Sequence, residues 1–306
     1  MKIGYPCINW SLSCRPSKTF RLRSYSAERF QRTVENNLAC LDRILNYNIE
    51  HGLLFLRITS DLIPFASHPV CTFPWHAHFA APLRRLGQKI KRAGMRISMH
   101  PDQFVLINSP RLDVLERSVA ELRYHAAVLD LMELDLTARI QIHIGGVYGD
   151  KKASLHRFVS RYKQLERPIR RRLAIENDDR LYNLADCLWV HKKTRVPVIF
   201  DTLHHAVNPS PPLLKKASPP PLAAALNAAF STWSVQKGLP LVDYSDPDKT
   251  PGARPGKHAY TLNTRAFRRF LRDSRKADFD IMLEIKDKET SAAKAVAIAR
   301  QMKRIA

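Results

Sequence analysis

The chain has 306 residues, 45% of them hydrophobic, and a formal net charge of +22 from Lys+Arg 50 against Asp+Glu 28. That content suffices for a full buried core, and no apolar run is long enough to span a bilayer. A basic excess this large points to a polyanionic partner, nucleic acid ahead of an acidic membrane surface; the plainer alternative is a solvated Lys- and Arg-rich exterior.

Eight strand–loop–helix units follow in order. Lys2–Tyr5 reads as the first strand, and its loop carries Arg15, Lys18, Arg21 and Arg23. A helix over 27–50 follows, with Phe30, Val34, Leu38, Leu41 and Leu45 at three- and four-residue spacing and Gly52 as its C-terminal stop. Phe55–Thr59 precedes a helix over 75–93, Arg96–His100 one over 111–134, and Arg139–His143 one over 153–166. Leu173–Glu176 precedes 182–193, Val198–Asp201 precedes 219–229, Pro240–Ser245 precedes 264–273, and Asp280–Ile285 precedes 289–304. The strands are short, apolar and mostly without alternation, as strands buried on both faces are. Alternation of this kind over 1–306 predicts one α/β domain, a closed (β/α)8 TIM barrel. An open doubly wound sheet is the weaker reading, because no strand leads into G-x-G-x-x-G. Gly145-Gly146 and Gly149-Asp150-Lys151 lack the spacing of a phosphate loop.

Two loops are long. His204 to Pro221 carries six prolines with Lys215 and Lys216, which suggests stiff, extended backbone. Ser245 to His258 holds Lys249, Arg254 and Lys257. Both follow strands, so both belong to the rim where such a barrel does chemistry.

That rim collects ligands. Strands three, four, five, six and eight end in or run into His100, His143, Glu176, Asp201 and Glu284. A lone histidine after a strand is more often a satisfied polar residue than a ligand. Five such groups at one mouth are costly unless cations join them. His and carboxylate without cysteine suit Zn2+ or Mn2+ rather than Ca2+. His204 is the preferred second ligand beyond strand six, with His205 as the alternative, and His258 is a further candidate. His51, His76, His78, His125, His156 and His191 read as surface or packing residues.

The five cysteines are odd in number and form no C-x-x-C pair, so reduced thiols and an intracellular setting are expected. The start Met1-Lys2-Ile3-Gly4-Tyr5-Pro6 lacks the apolar stretch of a signal peptide, which predicts the cytoplasm, with nucleoid or nucleus as the place of work.

Several motifs carry a family resemblance. Gly4-Tyr5-Pro6-Cys7-Ile8-Asn9, Ile63-Pro64-Phe65-Ala66-Ser67-His68-Pro69, Ser98-Met99-His100-Pro101-Asp102-Gln103, His143-Ile144-Gly145-Gly146, Glu176-Asn177-Asp178, Asp201-Thr202-Leu203-His204-His205 and Glu284-Ile285-Lys286 resemble the UV damage endonuclease family, itself related in fold to endonuclease IV. The resemblance runs from residue 2 to about 289. It implies a nick in damaged double-stranded DNA immediately 5′ of the lesion, leaving a 3′-hydroxyl and a 5′-phosphate. It implies two or three divalent metals, commonly Mn2+, with Zn2+ or Mg2+ as alternatives. By motif, His100, His143 and Glu176 hold the first; Glu176 bridges to a second with Asp201 and Glu284; His204 and His258 hold a third. Glu176 and His68 are the implied catalytic residues, His68 facing the scissile phosphate. Gln103 and Phe104 match a pair that probes the duplex, and Tyr5 and Asn9 match residues lining the lesion pocket. The chain departs from the family in having Phe104 for the usual Tyr. On strand seven the family shows Lys-x-His; alignment on Thr232-Trp233 and Pro240 puts Leu241 at the lysine and Asp243, still a potential ligand, at the histidine. Competing readings are the same chemistry on abasic or deaminated sites, a metal-dependent sugar isomerase, and a DNA-binding protein with decayed catalysis. One-ended incision needs only a monomer.

Overall fold

The computed structural model describes residues 1–210 and 222–305. Its eight parallel strands close into a barrel in sequential order: β1 (Ile3–Pro6), β2 (Phe55–Ile58), β3 (Arg96–Met99), β4 (Arg139–His143), β5 (Leu173–Glu176), β6 (Val198–Asp201), β7 (Leu241–Tyr244) and β8 (Asp280–Leu283). Each strand lies within a residue or two of its predicted bounds. The barrel closes through β1 and β8, which pair at Ile3↔Ile281 and Gly4↔Met282. Only glycine fits at position 4: a Cβ there would sit 1.5 Å from the Phe55 carbonyl oxygen.

The long helices pack outside this barrel, with Ala27–Glu50 and Thr264–Asp273 at the predicted positions. The helix expected over 75–93 is interrupted at Phe79 (φ −98°, ψ 7°), giving Trp75–His78 and Ala80–Arg92. A short helix, Thr202–Val207, falls where the sequence reads as loop. Asp201 starts it, its carboxylate accepting the His204 backbone N–H at 2.6 Å, as a good N-cap does. The remainder of the proline-rich stretch, including Lys215 and Lys216, lies outside the described residues.

The cysteine expectation needs correcting. Cys14 and Cys40 form a disulfide, while Cys7, Cys71 and Cys187 are free. The loop after β1 folds back onto helix Ala27–Glu50 and brings the two Cα atoms to 5.8 Å, within bridging range. Sequence spacing registers local C-x-x-C pairs and does not register a tertiary approach of this kind. Among the described residues no helix is long and apolar enough to cross a membrane.

Candidate metal centre

The barrel interior is built in two tiers, and strand periodicity creates both. Side chains two apart on a strand share a face. Phe55, Ala174, Ile199, Leu241 and Met282 form one apolar cluster. Two residues on along the same strands, or just past β8, stand Arg57, Glu176, Asp201, Asp243 and Glu284. The apolar tier is thus a dry floor and the next tier is ionisable. Leu241 belongs to the floor, and Asp243 stands in the tier above it.

The candidate ligand atoms fall into two overlapping groups. His100, His143 and Glu176 offer atoms all within 4.8 Å of one another, and so do Glu176, Asp201 and His204. Glu176 belongs to both groups: one carboxylate oxygen lies 3.5 Å from His100 Nε2 and 3.6 Å from His143 Nε2, the other 3.4 Å from His204 Nδ1. His204 therefore groups with Asp201, at 3.7 Å, rather than only with His258. His258 Nδ1 sits 3.5 Å from Glu284 at the far side. His205 turns away and packs on Phe200 with ring centroids 5.0 Å apart. Gly145, at φ +112°, permits the turn after His143; a Cβ there would also meet Asn108 Oδ1 at 2.3 Å.

Two residues of this tier escaped the sequence reading. Arg57 donates to Asp243 and Gln141, each at 2.8 Å, and to Glu284. Gln141 donates to Glu176 and Asp243, each at 2.5 Å. The available signal was polarity: Arg57 interrupts the apolar strand Phe55–Ile58, and Gln141 interrupts Arg139–His143.

Electrostatics show a site short of positive charge. Burial raises the Asp201 carboxyl well above its usual range, and Glu176 and Glu284 add to that despite His204. Asp243 is pushed up to about 7 chiefly by burial; Arg57 opposes the rise, and Glu284 and Glu176 add to it. Burial opposes charge on His204, yet Asp201 and Glu176 lift it to about 11. Burial also opposes ionisation of Glu284, yet Arg57 holds it down to about 2. Burial lowers His143 and His258. Asp201 Oδ2 is buried without a hydrogen-bond partner among the described residues. Clustered carboxylates, imidazoles that burial keeps neutral at His143 and His258, and an orphaned carboxylate oxygen fit divalent cations with mixed N/O ligands.

The other predicted site residues stand apart from this centre. Gln103 and Phe104 are exposed on the loop after β3, Phe104 at 73%. His68 lies with Phe104, Asp102 and Glu121 around a cavity of about 780 Å³. Its Nδ1 accepts the Val70 N–H at 3.0 Å. Tyr5 and Asn9 are fully buried: the Tyr5 hydroxyl donates to Asn48 at 2.6 Å and accepts from Asn9 at 2.8 Å. They brace the loop after β1 against helix Ala27–Glu50.

With this geometry in place, similarity to known proteins is informative. Residues 1–305 match the family of UV-endonuclease UvdE. The chain belongs to that family. It is accordingly an endonuclease, a hydrolase of phosphodiester bonds. A UV DNA damage endonuclease of Clostridium perfringens is 35% identical over 97% of this chain and 70% of its own length. One from Bacillus cereus (strain Q1) is 33% identical over 94% and 91%. The solved structure of SacUVDE superposes with a TM-score of 0.90 at 42% identity, covering 100% of both chains. D-Psicose 3-epimerase from Clostridium cellulolyticum H10 shares 13% identity at a TM-score of 0.57 over 99% and 98%, a likeness of fold alone.

Proposed function

We propose that this member of the family repairs UV-damaged duplex DNA by a metal-dependent nick immediately 5′ of the lesion, leaving a 3′-hydroxyl and a 5′-phosphate. Mn2+ is the proposed metal, in two or three sites. The observation that carries the reading is Glu176, one carboxylate shared by both ligand groups. His100 and His143 would hold one cation with it, and Asp201 and His204 the next, with His258, Glu284 and Asp243 at the far side. Cations bound there supply Lewis-acid activation of water and charge stabilisation at phosphorus.

The chain's own residues supply the rest. Glu176, 1% exposed, fixes the separation of the two ligand groups. Arg57 contributes a permanent positive charge and holds Asp243 and Glu284 in place. The apolar floor keeps bulk water from entering beneath the site. Phe104 fills the gap left when damaged bases leave the stack, with Gln103 beside it. His68, at the cavity beside Phe104, faces the substrate rather than the ligand cluster. A sugar isomerase on this fold would gain nothing from the +22 charge or from an exposed Phe104.

A panel of end-labelled duplexes tests the reading: a cyclobutane pyrimidine dimer, an abasic site, uracil and intact DNA, each with Mn2+ or with EDTA. Incision 5′ of the dimer, abolished by EDTA, is expected. Incision confined to abasic or uracil DNA would move the specificity, and metal-independent cutting would remove the proposed chemistry.

A further inference from the structure

Phe104 is not the sole aromatic displayed at the barrel mouth. On the loop after β7, Tyr260 is also 73% exposed, and on the loop after β1, Trp10 is 54% exposed. In an eight-stranded barrel β7 lies opposite β3, so the loop that carries Tyr260 leaves the rim opposite the loop that carries Phe104, while Trp10 comes in from the neighbouring loop after β1. Large aromatic side chains left this open mark a contact surface when they are grouped.

These two are grouped and held. Trp10 Nε1–H donates to the Lys286 carbonyl at 3.1 Å. The Trp10 and Ser11 backbone N–H groups donate to the Glu289 carboxylate at 3.0 and 2.7 Å. Glu289 is 2% exposed and opens helix Glu289–Gln301, so the anchor is part of the frame. Asp287 N–H donates to the Tyr260 carbonyl at 2.9 Å and Lys286 N–H to the Ala259 carbonyl at 3.2 Å, which pins the loop after β7 to the loop after β8. Trp10, Tyr260, Lys286, Asp287, Lys288 and Thr290 line a cavity of about 570 Å³. The Arg15 guanidinium lies 4.6 Å from the Trp10 ring centroid and covers one face. Backbone carbonyls of Asn9, Leu12 and Cys14 hold that guanidinium, so its charge is not spent on a carboxylate there.

An aromatic shelf edged by cations is what an unpaired base and its phosphates need: stacking for the ring, charge for the backbone. Lys286 is shared with Asp248 at 3.3 Å and burial disfavours charge on Lys288, which leaves Arg15 as the principal cation at the edge. We propose that Trp10 and Tyr260 form a stacking shelf for an unpaired nucleobase of the DNA strand, with Arg15 serving the adjoining phosphate. The proposal rests on the DNA-nicking function above. It places the shelf where the loops after β1, β7 and β8 meet at the rim, so that an unpaired base is received there rather than left in water.

Binding tests it without relying on cleavage. In a Glu176→Gln background, affinity is measured for a dimer-containing duplex and for intact duplex, with 2-aminopurine next to the lesion as a stacking reporter. Trp10→Ala and Tyr260→Ala should each weaken binding to the lesion duplex by roughly tenfold to a hundredfold and brighten the 2-aminopurine, while leaving intact duplex unchanged. Trp10→Phe and Tyr260→Phe should restore both readouts. Unchanged lesion affinity in the alanine variants, or equal losses on both duplexes, overturns the shelf alone. If the Glu176→Gln protein does not distinguish lesion from intact duplex, the DNA-repair reading fails and takes the shelf with it.

Discussion

Arg57 Nη2 lies 2.8 Å from Asp243 Oδ2 in the upper tier of the barrel, with side-chain exposures of 5% and 1%. The same guanidinium also meets Glu284. A buried ion pair is weak evidence of net stability, but removing one partner strands the other charge. Arg57→Met leaves Asp243 and Glu284 to repel each other, and is expected to destabilise the metal-free protein by about 3–5 kcal/mol. Urea denaturation with EDTA and with Mn2+ checks this. Mn2+ should recover part of the loss, and equal stability of wild type and variant would remove Arg57 from the charge balance.

Glu176 should separate cutting from binding. Glu176→Gln keeps the shape but removes the charge shared by both ligand groups. Cleavage is expected to disappear, while affinity for damaged duplex stays near wild type. Gel-resolved incision alongside fluorescence anisotropy reads the two separately, and surviving incision would contradict the bridging role.

Protons and metals compete for the same oxygens. Asp243 is raised to about 7 and His204 to about 11 in the folded chain. A group raised on folding contributes stability that is fully present below its unfolded pKa and is lost as pH rises through the folded value. For Asp243 the loss runs from the ordinary aspartate value of 3.8 to about 7, and for His204 from 6.5 to about 11. Glu284, lowered to about 2, acts in the opposite sense but only under acid conditions, so it does not cancel this trend. His143 and His258, lowered by burial, oppose this trend below neutrality, so metal-free protein should melt at lower temperature at alkaline than at neutral pH, the range in which His204 governs. Mn2+ should shrink or reverse that difference and release protons on binding. Calorimetry in buffers of different ionisation enthalpy measures the release; a pH-independent melting temperature without metal would contradict the charge assignments.

Phe104 should act on discrimination. Phe104→Ala is expected to reduce the preference for damaged over intact duplex by roughly tenfold, as loss of a base-stacking side chain does. Competition binding with both duplexes checks it. Equal weakening on both would make Phe104 an ordinary contact.

The Cys14–Cys40 bridge closes a loop with a sequence separation of 26. Chain-entropy reasoning gives about 3.5 kcal/mol for a loop of that size. Cys14→Ser should lower the unfolding free energy by about that amount, and reductant should have no further effect on the variant. If the wild type is insensitive to reductant, the bridge does not contribute.

The strands were legible because buried parallel strands read as short apolar runs, and the ligands because they close those runs at one rim. Arg57 and Gln141 were not, since a single polar residue inside a strand carries no mark of whether it faces the lumen or a helix. Register decides that: Arg57 pairs with Pro6 and Ser98, two steps above Phe55 in the floor. Leu241 shows the same limit. From sequence it is a missing lysine; in the barrel it completes the apolar floor beneath Asp243. The placement of Tyr5 behind the strand, bonded to Asn48, likewise depends on which face of β1 meets helix Ala27–Glu50. The disulfide depends on a loop folding back, which no spacing rule encodes.

On the proposed function, the shared-carboxylate centre nicks damaged DNA. The most direct test is incision of a 5′-labelled duplex bearing one cyclobutane pyrimidine dimer, with Mn2+, by wild type and Glu176→Gln side by side. A single product ending in a 3′-hydroxyl immediately 5′ of the dimer, made by wild type and absent with the variant, is the predicted result. Equal cutting by both proteins, or no cutting by metal-loaded wild type that still binds the duplex, would contradict it.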